Sequence, residues 1–496
     1  MNFDKYDVII GLEIHIQTKT ESKMFCSCPT HYFGKEPNTH VCPVCLGLPG
    51  ALPVPNKRAI ELCILLGLAT NCDIDKEIHF DRKHYFYPDL PKGYQISQYK
   101  RPICSGGYID IQDEDGEKYR VEIERIHQEE DVAKSTHHME PSTGMEYSLI
   151  DYNKSGVPLV ELVTRPNIRS AYQARELASK IRQIARYLNI SDADMEKGQM
   201  RCEPNISVQK KGTWEYVDGY IKPKENTKLN PKVEIKNIGS ISAVEKSITY
   251  EVNRIIEELE EGKEIVQQTR GWDADKGKTI FQRSKETADD YRYMPEPDIP
   301  VIDISEEDVE RVAKEIIELP DEKKERYMTE YSLSEYDANV LTSNKEISQY
   351  YESILELTGI ELAKATANWL TGAVFSISNE YKISPMSIQK EDIALLVTEY
   401  EDKVLTRNKA EELLRDSIQN KKDLGDLIKE AKSNAQSIDL ASIVDEVIQS
   451  NEKAVSDYKA GKQASIGYLV GQVMQKTKGS ADPNTAKSIL IDKLNG

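Results

Sequence analysis

The sequence predicts an α+β protein in which an antiparallel sheet region over residues 1–303 is followed by two helical domains, 304–402 and 403–496. Three observations predict it. Residues 8–17 (VIIGLEIHIQ) alternate strictly, with Ile10, Leu12, Ile14 and Ile16 on one face and Glu13, His15 and Gln17 on the other. The same two-residue period returns at 108–111, 119–124, 146–153, 157–164, 201–208 and 232–238. After about residue 304 the strand patterns stop and helix patterns with acidic first turns take over.

A chain of 496 residues exceeds what one hydrophobic core supports. No apolar run approaches the ~18 residues that suggest a membrane helix. The start, MNFDKYDVII, has neither a signal peptide's basic segment nor a transit peptide's Arg-rich character, so the expected location is the cytoplasm. The formal charge of −19 repels nucleic acid over most of the surface. Any RNA contact must therefore be local and basic.

The first strand presents Glu13 and His15 about 7 Å apart on its polar face. Next comes a cysteine hairpin over 24–48, holding Cys26-x-Cys28 and Cys42-x-x-Cys45. Two close thiol pairs on turns suit tetrahedral Zn²⁺; four reduced thiols without metal are the alternative. Cys63, Cys72, Cys104 and Cys202 stand apart in apolar or strand contexts and read as small core residues. A helix is expected from about Asn56 to Ala69.

Residues 81–99 (DRKHYFYPDLPKGYQISQY) are too polar for a core and too aromatic for a disordered linker. They read as an ordered loop lining a pocket. The stretch from Arg120 to His138 gathers Glu129, Glu130, Asp131, Lys134, His137 and His138 after a strand pattern. Oxygen-rich clusters of this kind suit Mg²⁺, which takes carboxylates together with substrate phosphates. A solvated acidic turn is the plainer reading of that stretch.

Later strands repeat the two-faced pattern. Arg201, Glu203, Asn205 and Ser207 alternate with Cys202, Ile206 and Val208; Glu234 and Lys236 alternate with Val233 and Ile235; Asp151, Asn153 and Glu161 add further polar positions. A sheet with this many charged inner positions lines a cavity on its second face. Helices at about 170–189 and 241–262 would cover the apolar side.

Residues 289–298 form another aromatic, proline-stiffened loop. From Asn451 onward seven lysines (Lys453, Lys459, Lys462, Lys476, Lys478, Lys487 and Lys493) face four acids, Glu452, Asp457, Asp482 and Asp492. That local excess could serve as an RNA foot or as a solvated helical face. GWDADKGKT (271–279) has five residues between its glycines rather than four, so it is not a phosphate-binding Walker loop. With no nucleophile motif either, nucleotide chemistry would have to come from carboxylate-held metal on the sheet.

GLEIH (11–15), DRKHYFYPDLPKGYQISQY (81–99), HQEEDVAKSTH (127–137), VPLVELV (157–163), RCEPNIS (201–207), EIKN (234–237), DDYRYMPEPD (289–298) and GKQASIGYLVGQVMQKTKGSADPN (461–484) resemble the B-subunit family of bacterial tRNA-dependent amidotransferases, the GatB/GatE family. The resemblance runs end to end. It implies a cradle domain of glutamine-synthetase-like fold with the zinc hairpin inserted, then a helical domain, then a YqeY-like helical tail that recognises tRNA. It implies ATP, Mg²⁺ and structural Zn²⁺ as cofactors. It also implies a heterotrimer, GatCAB, with an amidase partner that releases ammonia from glutamine plus a small partner that straps the two large chains together. The implied reaction is phosphorylation of the side-chain carboxylate of Glu-tRNA(Gln) or Asp-tRNA(Asn), followed by amination with ammonia channelled from the amidase.

A carboxylate is a poor acylating agent, and joining it to ATP needs cations to offset repulsion between anions. On the resemblance, Glu13, His15, Glu129 and Asp151 are expected to hold magnesium or to orient the groups that do, with Glu130 and Glu161 nearby. Lys83, Lys134, Arg201, Lys236 and Arg292 would neutralise phosphates or orient the substrate carboxylate, with Glu203 on the cofactor side. Tyr85, Tyr87 and Asp89 would border the pocket or the ammonia entry. Three positions depart from the family: Lys154 stands where arginine is usual, Asn167 where aspartate is, and Gly239 where asparagine is. Lysine cannot reproduce a bidentate arginine clamp. A non-catalytic RNA-binding protein of the same fold, a GatE-type chain with a large extra domain, and a free-standing ligase are the rival readings. Carboxylates on one face argue against the first, length against the second, and the basic tail against the third.

Overall fold

The computed structural model describes residues 3–284, 291–436, 439–477, 481 and 483–495. Asp289, Asp290, Lys478 and Asp482, which the sequence motifs include, lie outside them. The chain forms two compact units, residues 1–319 and 320–496.

In the first unit the strands are β1 (Tyr6–Gln17), β2 (Asp81–His84), β3 (Tyr94–Ser97), β4 (Lys118–Glu130), β5 (Lys134–Met139), β6 (Glu146–Asp151), β7 (Pro158–Thr164), β8 (Met200–Lys210), β9 (Val233–Lys236), β10 (Gln268–Asp273), β11 (Lys278–Ser284) and β12 (Met294–Pro295). Shorter strands are named below by residue. The main sheet runs β11-β10-β9-β8-β1-β7-β4 and then Cys104–Ser105 and Asp73–Ile74, with Tyr108–Gln112 paired to the first half of β4. Every pair is antiparallel except β9 with β10. This corrects the expected all-antiparallel sheet: β9 and β10 are joined by a helical crossover, which parallel neighbours require.

Helices α1 (Lys57–Ala69), α2 (Ala171–Tyr187) and α3 (Ile241–Glu260, the crossover) start where capping side chains satisfy their first amides. Asn56, Ser170 and Ser240 accept from the backbone N–H two or three residues on. Ile10, Leu12, Ile14 and Ile16 of β1 are at most 1% exposed and share one core with α1, α2 and α3. Each such side chain contributes about 1.5–3 kcal/mol by leaving water. The isolated cysteines Cys63, Cys72, Cys104 and Cys202 are buried in the same core.

Packing is tightest where α1 meets the short strands. A Cβ built on Gly67 would lie 2.3 Å from the Cys104 sulfur and 3.1 Å from Ile74 Cδ1. Gly67→Ala gains helix propensity, but the clash outweighs it. It is expected to destabilise the protein by about 1–2 kcal/mol, seen as a melting midpoint a few degrees lower.

Residues 81–99 are not a loop but a hairpin of β2 and β3, to which β12 adds a third strand. Likewise β6 does not join the main sheet. It pairs only with β5, and both strands are largely exposed. That segment alternates, but its second face has no apolar partner on the sheet.

The second unit is helical. One core centres on Tyr327, Tyr351, Trp369, Leu396 and Leu414 and extends to Ile428. A smaller one, with Val444, Leu469, Val473 and Leu490, begins at about residue 440. The larger core therefore runs past residue 402.

Candidate active site

The polar face of the main sheet is assembled by register. His15 of β1 lies opposite Glu161 of β7 on one side and Arg201 of β8 on the other. Glu13 faces Glu203 in the same way. Glu161 in turn faces His127 of β4, and Asn205 faces Glu234 of β9. Side chains two apart share a face, so neighbouring strands deliver carboxylates, imidazoles and cations to one surface.

Two clusters result. Ligand atoms of His15, Glu129 and Glu161 lie within 4.8 Å of one another, as do those of Glu13, Glu203 and Glu234. The Glu161 carboxylate accepts from both imidazoles, 3.4 Å from His15 Nε2 and 3.3 Å from His127 Nε2. Burial works to raise the Glu161 carboxyl, but the two imidazoles outweigh it and hold it well below its usual range. His15 is pushed up to about 9: burial opposes its charge, and Glu161, Glu203 and Glu129 overcome that. Glu129 moves opposite to Glu161, raised by burial and by the Glu161 charge. Nδ1 of both His15 and His127 is buried without a hydrogen-bond partner.

Cations surround the clusters. Lys236 Nζ is 2.6 Å from Glu203 and 3.8 Å from Glu234. Glu203 is held down at about 2: burial would raise it, but Lys236, His15 and Arg201 outweigh burial. Lys83 lies over the Tyr291 ring at 4.9 Å. Burial disfavours its charge, yet Tyr293, Glu129, Glu161 and Tyr85 together hold it protonated. Asp131 completes the surface, accepting from Gln17 at 2.7 Å, from Arg201 at 3.2 and 3.3 Å and from Lys154 at 3.0 Å.

The remaining expected residues stand elsewhere. Glu130 points away from Glu129, contacts Lys92 and accepts from Ile96 N–H at 3.0 Å, fastening β3. The Asp151 carboxylate belongs to neither cluster. It accepts from the Asn38 and Asn153 amides at 3.0 Å, and Asn153 in turn takes the His40 amide at 2.7 Å and donates to Glu36 O. Asp151 and Asn153 thus brace the cysteine loop. Lys134 is exposed at the base of the β5–β6 hairpin. Arg292 is exposed, with its guanidinium over Phe86. Tyr87 is 58% exposed, whereas Tyr85 lies within the field of Lys83 and Glu129.

Sequence reasoning assigned no role to His127 or Tyr293, and it named Asp131, Glu234 and Lys154 only within an acidic stretch, a strand pattern and a departure from the family, without placing them in a site. His127 sits two residues before Glu129 on one strand, a spacing that could have named it.

The departures from the family also find their places. Lys154 pairs with Asp131 and so neutralises a buried acid. Asn167 bridges β4 by accepting from Glu122 N–H and donating to Arg120 O. Gly239 precedes the cap of α3, and a Cβ there would meet open space. Asp131→Asn would leave Arg201 and Lys154 without their shared counter-ion. It is expected to cost about 3–5 kcal/mol in chemical unfolding, an amount typical of breaking a buried ion pair from one side.

The four hairpin cysteines also converge, with sulfur atoms within 4.8 Å of one another. Cys42 and Cys45 sulfurs are 3.9 Å apart, close to the ~3.8 Å edge of a tetrahedron with ~2.3 Å zinc–sulfur bonds. The Cys42 amide and the Lys23 ammonium approach the Cys45 sulfur at 3.1 and 3.6 Å. The Cys45 thiol is pulled down to about 4, chiefly by Cys26, with further help from the Cys42 backbone amide and Lys23. The donor set fits a structural metal.

Comparison with known proteins places the whole chain in one family. Residues 8–310 match the GatB/GatE catalytic domain and residues 349–494 the GatB domain. The chain is 44% identical to the B subunit of the aspartyl/glutamyl-tRNA(Asn/Gln) amidotransferase of Caldicellulosiruptor bescii, covering 99% of each chain. It is 44% identical to the corresponding protein of Dehalococcoides mccartyi, again over 99% of each, and 42% identical to that of Symbiobacterium thermophilum, over 100% of this chain and 99% of the other. Among the described residues no helix is long and apolar enough to cross a membrane. The domain matches, the full-length identities and the conjunction of carboxylate face and cysteine hairpin lead to one conclusion: the chain belongs to the GatB/GatE family.

Proposed function

We propose that this chain carries out the ATP-dependent half of tRNA-dependent transamidation on misacylated Glu-tRNA(Gln) or Asp-tRNA(Asn), in a cytoplasmic heterotrimer with an amidase partner plus a small strapping partner. The observation that carries the reading is the pair of carboxylate clusters side by side on one sheet face, each flanked by a half-buried lysine.

In the reaction the substrate's side-chain carboxylate oxygen attacks the γ-phosphorus of ATP and ADP leaves. Ammonia then attacks the acyl carbon, phosphate departs with the bonding pair, and the ammonium proton is lost, giving the amide. Glu13, Glu203 and Glu234 would hold one Mg²⁺ and His15, Glu129 and Glu161 another; bound there, the ions would offset charge between phosphate and carboxylate. Lys83 and Lys236 add fixed positive charge beside each cluster. Arg201, held by Asp131, offers a planar donor to the substrate carboxylate or a phosphate. His127 fixes the Glu161 carboxylate in the orientation that faces His15. Glu130, Asp151, Lys134 and Arg292 take supporting places outside this chemistry.

The cysteine hairpin would carry one structural Zn²⁺. The tail would provide the RNA foot. Lys462, Lys476 and Lys493 are paired with Asp457, Glu446 and Asp445. That leaves Lys453, Lys459 and Lys487, among the described residues, as the phosphate-facing candidates.

The deciding experiment is an assay of the assembled three-chain complex with each misacylated tRNA, ATP and glutamine. Formation of Gln-tRNA or Asn-tRNA with stoichiometric ADP is expected; ADP-free amidation or no amidation overturns the reading. Removing residues 439–496 spares the larger helical core. It is expected to raise KM for tRNA about tenfold while leaving glutamine hydrolysis in place.

A further inference from the structure

Beside the His15–Glu129–Glu161 cluster stands an aromatic wall that the chemistry above does not use. Tyr99 and Tyr293 are stacked with ring centroids 4.3 Å apart and planes 10° from parallel. Tyr291 meets Tyr293 edge-on at 6.2 Å, and Tyr85 meets Tyr291 at the same separation. Lys83, whose charge faces Glu129 and Glu161, lies over Tyr291 at 4.9 Å. The wall therefore begins at the carboxylates and leads outward through Tyr293 to Tyr99, which is 45% exposed.

The backbone under the wall is pinned. β12, which begins one residue after Tyr293, pairs with β2. Arg82 of β2 grips the buried Glu296 through two bonds of 2.7 and 2.8 Å. The Tyr99 amide donates to Asp81 at 2.9 Å. An exposed tyrosine held by a buried carboxylate and stacked flat on a second ring is a preorganised platform rather than a mobile side chain.

We propose that the stacked Tyr99–Tyr293 pair is an adenine-stacking subsite, in which the outer face of Tyr99 receives the base of an adenosine whose attached group reaches the carboxylate clusters. The inference rests on the transamidation assigned above, and both substrates of that reaction qualify. ATP carries adenine beyond its triphosphate. An aminoacyl-tRNA carries its reacting acid on the ribose of its terminal adenosine. Stacking suits either source, because every base has a π-face and the ring needs no sequence-reading contacts. Phe86, 78% exposed with the Arg292 guanidinium at 5.9 Å, extends the aromatic and cationic surface next to the wall.

The test is kinetics of the assembled complex carrying Tyr99→Ala or Tyr99→Phe, with ATP and misacylated tRNA varied in turn. Tyr99→Ala is expected to raise KM for one of the two about tenfold, with a smaller change in kcat and glutamine hydrolysis unaltered. Tyr99→Phe keeps the ring and is expected to restore that KM. A rise confined to tRNA assigns the platform to the terminal adenosine, and one confined to ATP assigns it to the nucleotide. Both KM values within about twofold of the unaltered complex overturn the subsite. So does failure of Tyr99→Phe to restore, or a uniform loss accompanied by a lower melting midpoint. An unaltered complex that forms no amide overturns the assigned reaction instead, and equilibrium binding of ATP and of tRNA to the two variants then decides the subsite alone.

Discussion

Replacing Glu13 with alanine is expected to lower ATP-dependent transamidation roughly a thousandfold, about 4 kcal/mol of barrier, while glutamine hydrolysis by the assembled complex continues. Glu13 shares its cluster with Glu203 and Glu234 and accepts from Asn205 Nδ2 at 2.9 Å. Removing it takes one of three anions from a site that Lys236 already neutralises in part. Lys236 would then hold the remaining carboxylates more firmly, and a divalent ion would have to displace it with fewer ligands. Glu13→Gln separates charge from shape. A loss as large as that of alanine shows that the negative charge is what the site needs, and a rate near that of the unaltered complex in either variant removes Glu13 from the chemistry. Misfolding is distinguishable, since Glu13 lies on the polar face and its loss opens no cavity in the apolar core. The melting midpoint should move by no more than a few degrees. Asp151→Ala is the contrast: its carboxylate braces the cysteine loop, so its effect on rate should follow the loss of local stability.

The polar face was readable as a list of residues, but not as a map. Alternation alone put Glu13 with His15 and Arg201 with Glu203, because side chains two apart on a strand must share a face. Alternation fixes which face a residue takes but not which distant strand lies alongside, and that partner choice is made by the whole sheet. The partnership of Glu161 with both His15 and His127 therefore came only with the fold.

A bulge hid more. Along β4 the apolar residues Val121 and Ile123 are odd-numbered, and so are the polar-face residues His127 and Glu129. The register shifts there, Val163 facing Arg125 while Thr164 faces Ile123, so Glu124 is skipped and the later residues change sides. Read straight through, the alternation would have sent Glu129 into the core, and the strand pattern broke off at residue 124 for this reason. The same parity sends Glu130 away from its neighbour Glu129, toward Lys92. Asp151 was misleading in another way. It closes an alternating segment, but the turn after β4 carries that segment off the sheet as a separate hairpin with β5. The cysteine quartet was legible because four thiols in two close pairs are constrained by their own spacing, whatever the sheet does.

Replacing Cys45 with serine, or extracting metal with a strong chelator, is expected to abolish bound zinc and to lower the melting midpoint of the protein by about 10 °C. One zinc per chain in the untreated protein, measured by elemental analysis, is the accompanying expectation; its absence overturns the assignment of the quartet. The effect should reach the active face because the hairpin is laced to it. Met24 N–H donates to Gly156 O at 2.7 Å, Lys23 Nζ to Tyr152 O at 3.3 Å, and Asn38 closes on residues 150–152 from both its backbone and its side chain. Residues 152–156 include Lys154, which neutralises Asp131, and Asp131 positions Arg201. Loosening the hairpin therefore loosens an arginine on the other side of the bracing segment. Transamidation should fall together with zinc content, and readdition of zinc to the chelated protein should restore both. Recovery of stability without recovery of rate would instead show that the hairpin supports the fold without setting the active face.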